Sequence, residues 1–245
     1  MFGLPEGTSA CLFDMDGVVT QTAVVHAAAW KQMFDGFLRQ RAQQAGEKFV
    51  PFDSTRDYDD YVDGKPRLDG TRSFLAARGI SLREGSPGDK PGTPTVYGLS
   101  NEKNGLVAEK IRTGGVQVYD GTVRYIEAVR GGGLRTAIVS SSANTVDVLN
   151  AAGIAGLFDA RVDGIVASQR HLRGKPAPDT FLAAARDLGV GPGQAAVFED
   201  AQSGVAAGHA GHFALVVGVD RVGQAEELRE HGADIVVKDV AELLD

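Results

Sequence analysis

Residues 12–22 read "LFDMDGVVTQT". An apolar run ends here at two aspartates, Asp14 and Asp16, which stand two positions apart. In a strand, side chains at i and i+2 face the same side, so two such carboxylates repel one another unless a cation lies between them or one stays protonated. Either arrangement is typical of a site that binds a metal ion or transfers a proton. The stretch therefore predicts a strand that delivers acidic groups to a site at its carboxyl end.

Short apolar runs alternate with helical patterns from about residue 119 onward. The strand-like runs are "LRTAIV" (134–139), "AAVFE" (195–199), "FALVVGV" (213–219) and "DIVV" (234–237). This alternation predicts a parallel sheet covered by helices on both faces, with "ACLF" (10–13) as its first strand. We therefore expect a doubly wound, Rossmann-like α/β fold.

The intervening residues contain amphipathic helical patterns and no comparable strand-like run. These patterns cover residues 26–44, 71–80 and 101–115. A helical insertion is thus expected to interrupt the α/β domain after its first strand. We predict a core domain of residues 1–22 and 119–245, and an inserted α-helical domain of residues 23–118.

Composition restricts the partners and the compartment. The chain has 245 residues, of which 43% are hydrophobic, and this is enough for a substantial core. A formal charge of −7 argues against nucleic-acid binding, and no apolar run reaches the ~18 residues of a membrane span. The single cysteine, Cys11, cannot form an intrachain disulfide, which suits a reducing compartment. We expect a cytoplasmic monomer that acts on a small molecule, without nucleic-acid or membrane partners.

Further polar residues follow or precede the elements of the predicted sheet. Ser140 comes after the second strand, Lys175 precedes a helix, and Glu199 and Asp200 end a later strand. Ligands of open parallel sheets bind beyond the carboxyl ends of the strands, so these residues are expected to converge with Asp14. Carboxylates, one lysine and a hydroxyl are what a Mg²⁺-dependent phosphoryl-transfer site requires.

Four motifs resemble, in order and spacing, those of the haloacid dehalogenase superfamily. They are "DMDGVVTQT" (14–22), the serine after the next hydrophobic strand, the lysine of "GKPAPD" (174–179) and "EDAQSG" (199–204). The helical insertion is similar to the cap of subclass I of that superfamily. The offsets of Thr20, Thr22, His26 and Trp30 resemble its β-phosphoglucomutase branch most closely.

This resemblance implies a role for each aspartate of the first motif. Asp14 is the implied nucleophile, which forms an aspartyl-phosphate and also binds Mg²⁺. Asp16 is the implied general acid/base, with its backbone carbonyl at the metal, and this role accounts for the spacing of the two residues. An acyl phosphate is reactive enough to break down in a second step, so a carboxylate nucleophile is chemically reasonable.

The resemblance also implies the remaining site residues. The implied phosphate-binding residues are Ser140, Ser142, Asn144 and Lys175. The implied metal ligands are Asp14, Asp16, Glu199 and Asp200. The implied hinge and substrate-binding residues at or within the cap are Thr22, His26, Gly64, Lys65 and Arg67.

Two positions depart from the β-phosphoglucomutase pattern. Asp63 stands where the branch has the lysine of its Lys-Gly-x-x-Arg loop, and Lys65 is a candidate substitute from a neighbouring position. Ala143 stands where a lysine follows the serines of the second motif. Both changes remove a cation from the expected substrate site, so they bear on the substrate more than on the mechanism.

The resemblance implies interconversion of β-glucose 1-phosphate and glucose 6-phosphate through a glucose 1,6-bisphosphate. A sugar-phosphate phosphatase of the same fold is the alternative, because it differs mainly in admitting water to the aspartyl-phosphate. A catalytically inactive phosphate-binding protein and a signalling receiver domain are more remote alternatives. Dehalogenases of the superfamily lack the second aspartate, so Asp16 argues against dehalogenation.

Overall fold

The computed structural model describes residues 2–244. The chain divides into two compact units, Met1–Thr22 with Val116–Asp245, and Ala23–Gly115. We call the first the α/β unit and the second the helical unit. The chain re-enters the α/β unit between Gly115 and Val116, whereas the sequence prediction placed this point after residue 118. Residues 116–118 belong with the α/β unit because Val118 pairs with Thr20, and Thr20 lies on the segment through which the chain leaves that unit.

Parallel strands form the sheet of the α/β unit. Over residues 2–244 the strands are β1 (Ala10–Phe13), β2 (Arg135–Val139), β3 (Ala160–Val162), β4 (Ala195–Glu199), β5 (Leu215–Val219) and β6 (Ile235–Val237). They run in the order β3-β2-β1-β4-β5-β6, and every neighbouring pair is parallel. Strand order reverses between β1 and β4, which is where doubly wound sheets bind ligands. The predicted fold class is confirmed.

Helices occur in both units. In chain order they are α1 (Ala23–Ala45), α2 (Arg67–Ala77), α3 (Val96–Gly114), α4 (Asp120–Gly131), α5 (Thr145–Ala151), α6 (Gly164–Gln169), α7 (Asp179–Asp187), α8 (Gln202–Ala210) and α9 (Ala225–Glu230). Shorter helical turns cover Tyr58–Val62, Ala155–Leu157, Pro192–Gln194 and Val240–Leu244. In the part of the chain that the structure describes, no helix is long and apolar enough to cross a lipid bilayer.

The first strand is the centre of the α/β core. All four residues of β1 are buried, as expected for a strand with neighbours on both edges and helices on both faces. Phe13 stacks on Phe198 of β4 with ring centroids 4.5 Å apart. Burial raises the pKa of the Cys11 thiol to about 12, so the thiol stays protonated at neutral pH.

An aromatic cluster holds the helical unit together. Trp30, Phe34, Phe52 and Phe74 are buried, and the rings of Phe34 and Phe74 lie 4.1 Å apart at their centroids. These side chains come from α1, α2 and the segment between them, so burial of their rings joins the helices into one core.

The third helix begins earlier than its sequence pattern suggests. The apolar pattern predicts a helix over 101–115, but α3 starts at Val96. The hydroxyl of Thr95 accepts a hydrogen bond from the backbone N–H of Gly98, at 2.9 Å, and so caps the first turn. A threonine cap satisfies one of the open N–H groups at a helix start, which fixes the boundary.

Candidate active site

Three strands of the α/β unit end at the candidate site. Asp14 follows β1, and its N–H donates to the carbonyl of Phe198 on β4 at 2.9 Å. Ser140 follows β2, and its N–H donates to the carbonyl of Val162 on β3 at 3.0 Å. Glu199 is the last residue of β4. The sheet ladder therefore fixes the backbone of each residue before its side chain makes any contact.

Lys175 is buried among the carboxylates. Its Nζ donates to Asp14 Oδ1 at 2.5 Å, to Glu199 Oε1, and to the carbonyl oxygen of Val139 at 3.2 Å. An ammonium has three protons, so these three bonds use all of them. Contact between Lys175 and a phosphate would require one of these bonds to be exchanged.

Burial dominates the electrostatics of Asp14. Loss of solvent raises the pKa of Asp14 well above its usual value, although the charge of Lys175 acts in the opposite direction. Burial acts to lower the pKa of Lys175, but the charges of Asp14 and Glu199 outweigh it and raise that pKa overall. The ammonium is therefore kept charged, whereas burial favours the protonated form of Asp14.

The carboxylates that end β1 and β4 fit a metal ion. Asp14, Glu199 and Asp200 are all buried, and each offers an oxygen within 4.8 Å of those of the other two. An octahedral Mg²⁺ ion holds its ligand oxygens about 3–4 Å apart, so small side-chain movements would bring these oxygens into coordination. A divalent cation at this position would favour the ionised forms of these acidic side chains. This group can therefore hold a metal ion.

Asp16 is held from both sides. Its Oδ1 accepts a hydrogen bond from the hydroxyl of Thr22, and its Oδ2 accepts one from the hydroxyl of Ser140 at 3.3 Å. These two donors lie on different segments of the α/β unit. The position of the second aspartate is thus set separately from that of Asp14.

The second motif forms a chain of short-range hydrogen bonds. The Ser140 hydroxyl accepts from the N–H of Ser142 at 3.1 Å, and the Ser142 hydroxyl accepts from the N–H of Asn144 at 3.1 Å. Ala143 lies between these two residues. This loop therefore presents backbone and hydroxyl groups where the related branch has a lysine.

Two glycines shape the site, and sequence reasoning did not single them out. A Cβ on Gly17 would meet the carboxylate of Asp200, and a Cβ on Gly204 in α8 would meet that of Glu199. Gly17 has φ +91°, a conformation that side-chain-bearing residues rarely adopt. Both acidic side chains lie where they do because these positions have no side chain.

His26 has a charged neighbour in the helical unit. Lys103 on α3 is buried, its Nζ lies 3.0 Å from His26 Nδ1, and it lies 4.8 Å from the centroid of the Trp30 ring. Sequence reasoning missed Lys103. The sequence does contain a signal for it. Leu99, Lys103 and Val107 are spaced four residues apart, so a lysine lies within the buried apolar stripe of α3.

The remaining predicted cap residues lie together around the start of α2. Gly64 has φ +68°, and the Nζ of Lys65 donates to the carbonyl of Asp60 at 3.1 Å and to the hydroxyl of Ser73 at 3.3 Å. Burial lowers the pKa of Lys65 and also that of Arg67. Within residues 2–244, the structure gives the buried Nε of Arg67 no hydrogen-bond acceptor.

The structure brings six predicted residues together in the α/β unit: Asp14, Asp16, Ser140, Lys175, Glu199 and Asp200. Ser142 and Asn144 continue from Ser140, and Thr22 contacts Asp16. His26, Gly64, Lys65 and Arg67 belong to the helical unit.

Comparisons with known proteins show which family the chain resembles. The model of the haloacid dehalogenase-like hydrolase family matches residues 8–212. A β-phosphoglucomutase of Mycobacterium bovis is 58% identical over the whole of this chain and 94% of its own length. A β-phosphoglucomutase of Bacillus subtilis is 31% identical over 96% of this chain and 91% of its own.

A solved structure extends the similarity to the fold. The crystal structure of β-phosphoglucomutase from Clostridium difficile matches with a TM-score of 0.75 and 26% identity, covering 96% of this chain and 93% of that one. The resemblance stated from the motifs is confirmed. The chain belongs to the haloacid dehalogenase-like hydrolase family.

Proposed function

We propose that this protein is a β-phosphoglucomutase, which interconverts β-glucose 1-phosphate and glucose 6-phosphate through β-glucose 1,6-bisphosphate. The observation that carries the proposal is the position of Asp16, held by Thr22 and Ser140 beside a buried aspartate–lysine pair. A second, separately fixed carboxyl group is what phosphoryl transfer to and from a sugar hydroxyl requires. The full-length similarity to the mycobacterial enzyme supports the choice of sugar.

In the first half-reaction, a carboxylate oxygen of Asp14 forms a bond to one phosphorus of the bisphosphate while the bond from that phosphorus to the sugar oxygen breaks, which releases a sugar monophosphate. Asp16 gives its proton to that leaving oxygen. Lys175 orients Asp14 and contributes positive charge near the transferred phosphoryl group. Ser140, with the N–H groups of the following loop, binds the phosphoryl oxygens.

In the second half-reaction, the free hydroxyl of a sugar monophosphate, at C6 of β-glucose 1-phosphate or at C1 of glucose 6-phosphate, attacks the phosphorus of the aspartyl-phosphate. Asp16, now a carboxylate, takes the proton of that hydroxyl, and the bond between phosphorus and Asp14 breaks. The bisphosphate formed in this way reorients while Asp14 is free, so that its other phosphate faces Asp14. Water has to be excluded while Asp14 carries the phosphoryl group, until the sugar hydroxyl attacks.

We propose Mg²⁺ as the cofactor, held by Asp14, Glu199, Asp200 and the backbone carbonyl of Asp16. When bound, the ion would neutralise charge on the phosphoryl oxygens. The buried carboxylate cluster supports this choice, because hard oxygen ligands suit Mg²⁺.

We also propose that the two compact units serve as the core and cap domains, and that the enzyme acts as a cytoplasmic monomer. In the cap, Arg67 would bind the second phosphate of the bisphosphate, helped by Gly64 and Lys65, while His26 would couple substrate binding to the cap. The unused Nε of Arg67 supports its part in this, since a guanidinium binds phosphate through paired N–H donors.

The proposed reaction is tested by supplying β-glucose 1-phosphate, Mg²⁺ and a trace of the bisphosphate, and measuring formation of glucose 6-phosphate. We expect turnover of the β anomer, none of the α anomer, and none by Asp14→Asn. Turnover by a clean preparation of Asp14→Asn would contradict the role of Asp14. Equal use of both anomers would contradict the proposed substrate.

The second-phosphate role of Arg67 has its own test. Arg67→Ala is expected to slow glucose 6-phosphate formation by about a hundredfold, because it removes a charged hydrogen-bonding group, yet leave hydrolysis of 4-nitrophenyl phosphate within about twofold. Arg56→Ala, at an exposed position of the same unit, is the control. Equal losses in both reactions would show that Arg67 does not serve the second phosphate.

A further inference from the structure

We propose that Arg221 is a positioning residue that holds the turn carrying Asp16. Arg221 follows β5, far from Asp16 in sequence, and its side chain is only 14% exposed. Its Nε donates to the carbonyl of Gly17 at 2.8 Å, and its Nη2 donates to that of Val18 at 3.4 Å. The guanidinium therefore binds the carbonyl groups of the two residues that directly follow Asp16, the proposed proton donor.

The turn itself is closed by its own backbone. The N–H of Gly17 donates to the carbonyl of Thr20 at 2.8 Å, and the N–H of Thr20 donates to that of Met15 at 2.8 Å. Asp16 lies inside this loop of bonds. The carbonyl groups of Gly17 and Val18 are the ones that Arg221 engages, so Arg221 ties the closed turn to the rest of the α/β unit.

Gly17 cannot supply such an anchor through a side chain. Its positive φ and the nearness of the Asp200 carboxylate both exclude a Cβ at this position. A side chain from elsewhere in the chain can fix the turn by donating a hydrogen bond to the carbonyl of Gly17. Such a contact leaves the space of the Asp200 carboxylate free. Arg221 is such a donor.

Two further contacts fix the guanidinium. Its Nη1 donates to the carbonyl of Lys238 at 2.8 Å, and its Cζ lies 3.6 Å from the centroid of the Tyr119 ring. The N–H of Tyr119 in turn donates to the carbonyl of Val19 at 2.9 Å. Arg221 is thereby held between the segment that carries Asp16 and the segment through which the chain returns from the helical unit.

The contacts of Arg221 favour positioning over simple charge pairing. Its nearest carboxylate, on Asp239, is 3.8 Å away and half exposed, whereas the bonds to Gly17 and Lys238 are short. A guanidinium can reach several carbonyls in fixed directions while stacking on an aromatic ring, and an ammonium cannot. The geometry thus needs arginine rather than a positive charge alone.

The same loop also reaches the metal-ligand segment. Gln224 Nε2 donates to the backbone carbonyl of Asp200 at 2.9 Å, and Asp220 Oδ1 accepts from the N–H of Gln224 at 2.9 Å. Residues 220–224 therefore connect the Asp16 turn to the end of β4. Both segments of the proposed site are held by one loop that makes none of the proposed contacts to substrate.

This inference rests on the proposed role of Asp16, and aryl phosphates test it without any sugar. The leaving oxygen of 4-nitrophenyl phosphate departs without a proton, whereas the more basic oxygen of phenyl phosphate needs one. The test compares single-turnover phosphorylation by the two esters in Mg²⁺-loaded full-length protein. The variants are Arg221→Ala, Arg221→Lys, Asp16→Asn and, as a control, Arg229→Ala at an exposed position of α9.

We expect Arg221→Ala to slow reaction of phenyl phosphate at least about tenfold more than that of 4-nitrophenyl phosphate, because misplaced Asp16 protonates the leaving oxygen poorly. Arg221→Lys should show the same selective loss to a smaller degree, and it decides the matter if Arg221→Ala does not fold. Asp16→Asn should show the largest selective loss, and Arg229→Ala none. A loss of stability alone would lower both rates together.

The outcomes separate this inference from the proposed function. Equal losses for the two esters in the Arg221 variants, with a selective loss in Asp16→Asn, would overturn the positioning role and leave the function intact. Equal losses in Asp16→Asn would overturn the role of Asp16, and the positioning role with it. A selective loss in Arg229→Ala would show that the effect is not specific to Arg221, and would also overturn it.

Discussion

Glu199 and Asp200 show how single residues set this site. Their carboxylates lie against Gly204 and Gly17, at points where a Cβ would occupy the same space. The acidic residues are visible in the sequence as a strand ending in polar groups. The glycines opposite them are not, since contacts across a fold leave no local pattern.

Replacement of Gly204 tests this arrangement. Within a helix, alanine is more favourable than glycine. Gly204→Ala is nevertheless expected to destabilise the protein by about 1–3 kcal/mol, because the added methyl group displaces the buried Glu199 side chain. Chemical denaturation would measure the change in the free energy of unfolding.

Gly105→Ala in α3 is the matched control. Nothing lies within 4 Å of a Cβ at this exposed helical glycine, so alanine there should stabilise the protein by about 0.5–1 kcal/mol. Equal and stabilising effects of the two substitutions would show that Gly204 is not needed to make room for Glu199.

The positions of the candidate site residues were largely predictable because these residues follow strands. Asp14, Ser140 and Glu199 each stand at or beside the end of an apolar run, and parallel strands bring their carboxyl ends to one edge. Arg221 was not predictable in this way. Its partners in the Asp16 turn are backbone carbonyls more than 200 positions away, and side-chain patterns carry no information about such partners.

Among the helices, α3 has a lysine, Lys103, at a position where its periodic pattern predicts an apolar residue. Val96, Leu99, Lys103, Val107 and Ile111 are the stripe that this helix buries at intervals of three to four residues. Lys103 is the charged member, and it lies beside His26 and Trp30. A buried charge costs stability, so its presence in a core-facing stripe favours a functional role.

Lys103→Met separates function from stability in this helix. Methionine keeps the length of the side chain and removes the buried ammonium, so we expect an unchanged or higher thermal midpoint. Glucose 6-phosphate formation is expected to fall about tenfold or more, because His26 loses its charged neighbour. Lys110→Met, outside the stripe on the same helix, is the control. A fall in stability with unchanged turnover would assign Lys103 a structural role only.

The strands were predictable where their runs are apolar. The fully buried runs of β1, β4 and β5 gave clear apolar patterns. β3 did not, because the exposed Arg161 interrupts its three residues, whereas the equally short β6 is apolar throughout. The short helix α6 follows β3 directly and likewise shows too few turns for a periodic pattern.

At the scale of the whole molecule, the chain leaves the sheet unit once and returns once. The outgoing and returning segments pair where Thr20 meets Val118, and the N–H of Gln21 donates to the carbonyl of Gln117 at 2.9 Å. The insertion was predictable from the loss of strand-like runs after residue 22. Its return point was not, since residues 116–118 join the α/β unit through backbone pairing rather than through an apolar pattern.

Metal binding should be visible in the stability of the whole protein. An ion that binds only the native state stabilises it by about 2.7 kcal/mol at a hundred times its dissociation constant, which corresponds to a rise of about 5–10 °C in the thermal midpoint. We expect Mg²⁺ to produce such a rise in the native protein and a much smaller one in Asp200→Asn. Equal rises in both proteins would contradict the assignment of Asp200 as a ligand.

In the proposed reaction, the aspartyl-phosphate is passed to a sugar rather than to water. This is measured by supplying β-glucose 1-phosphate, Mg²⁺ and a trace of bisphosphate, and determining glucose 6-phosphate and inorganic phosphate in the same sample. We expect glucose 6-phosphate as the main product, with inorganic phosphate at only a few per cent of it or less. Stoichiometric release of inorganic phosphate and glucose would instead identify a sugar-phosphate phosphatase.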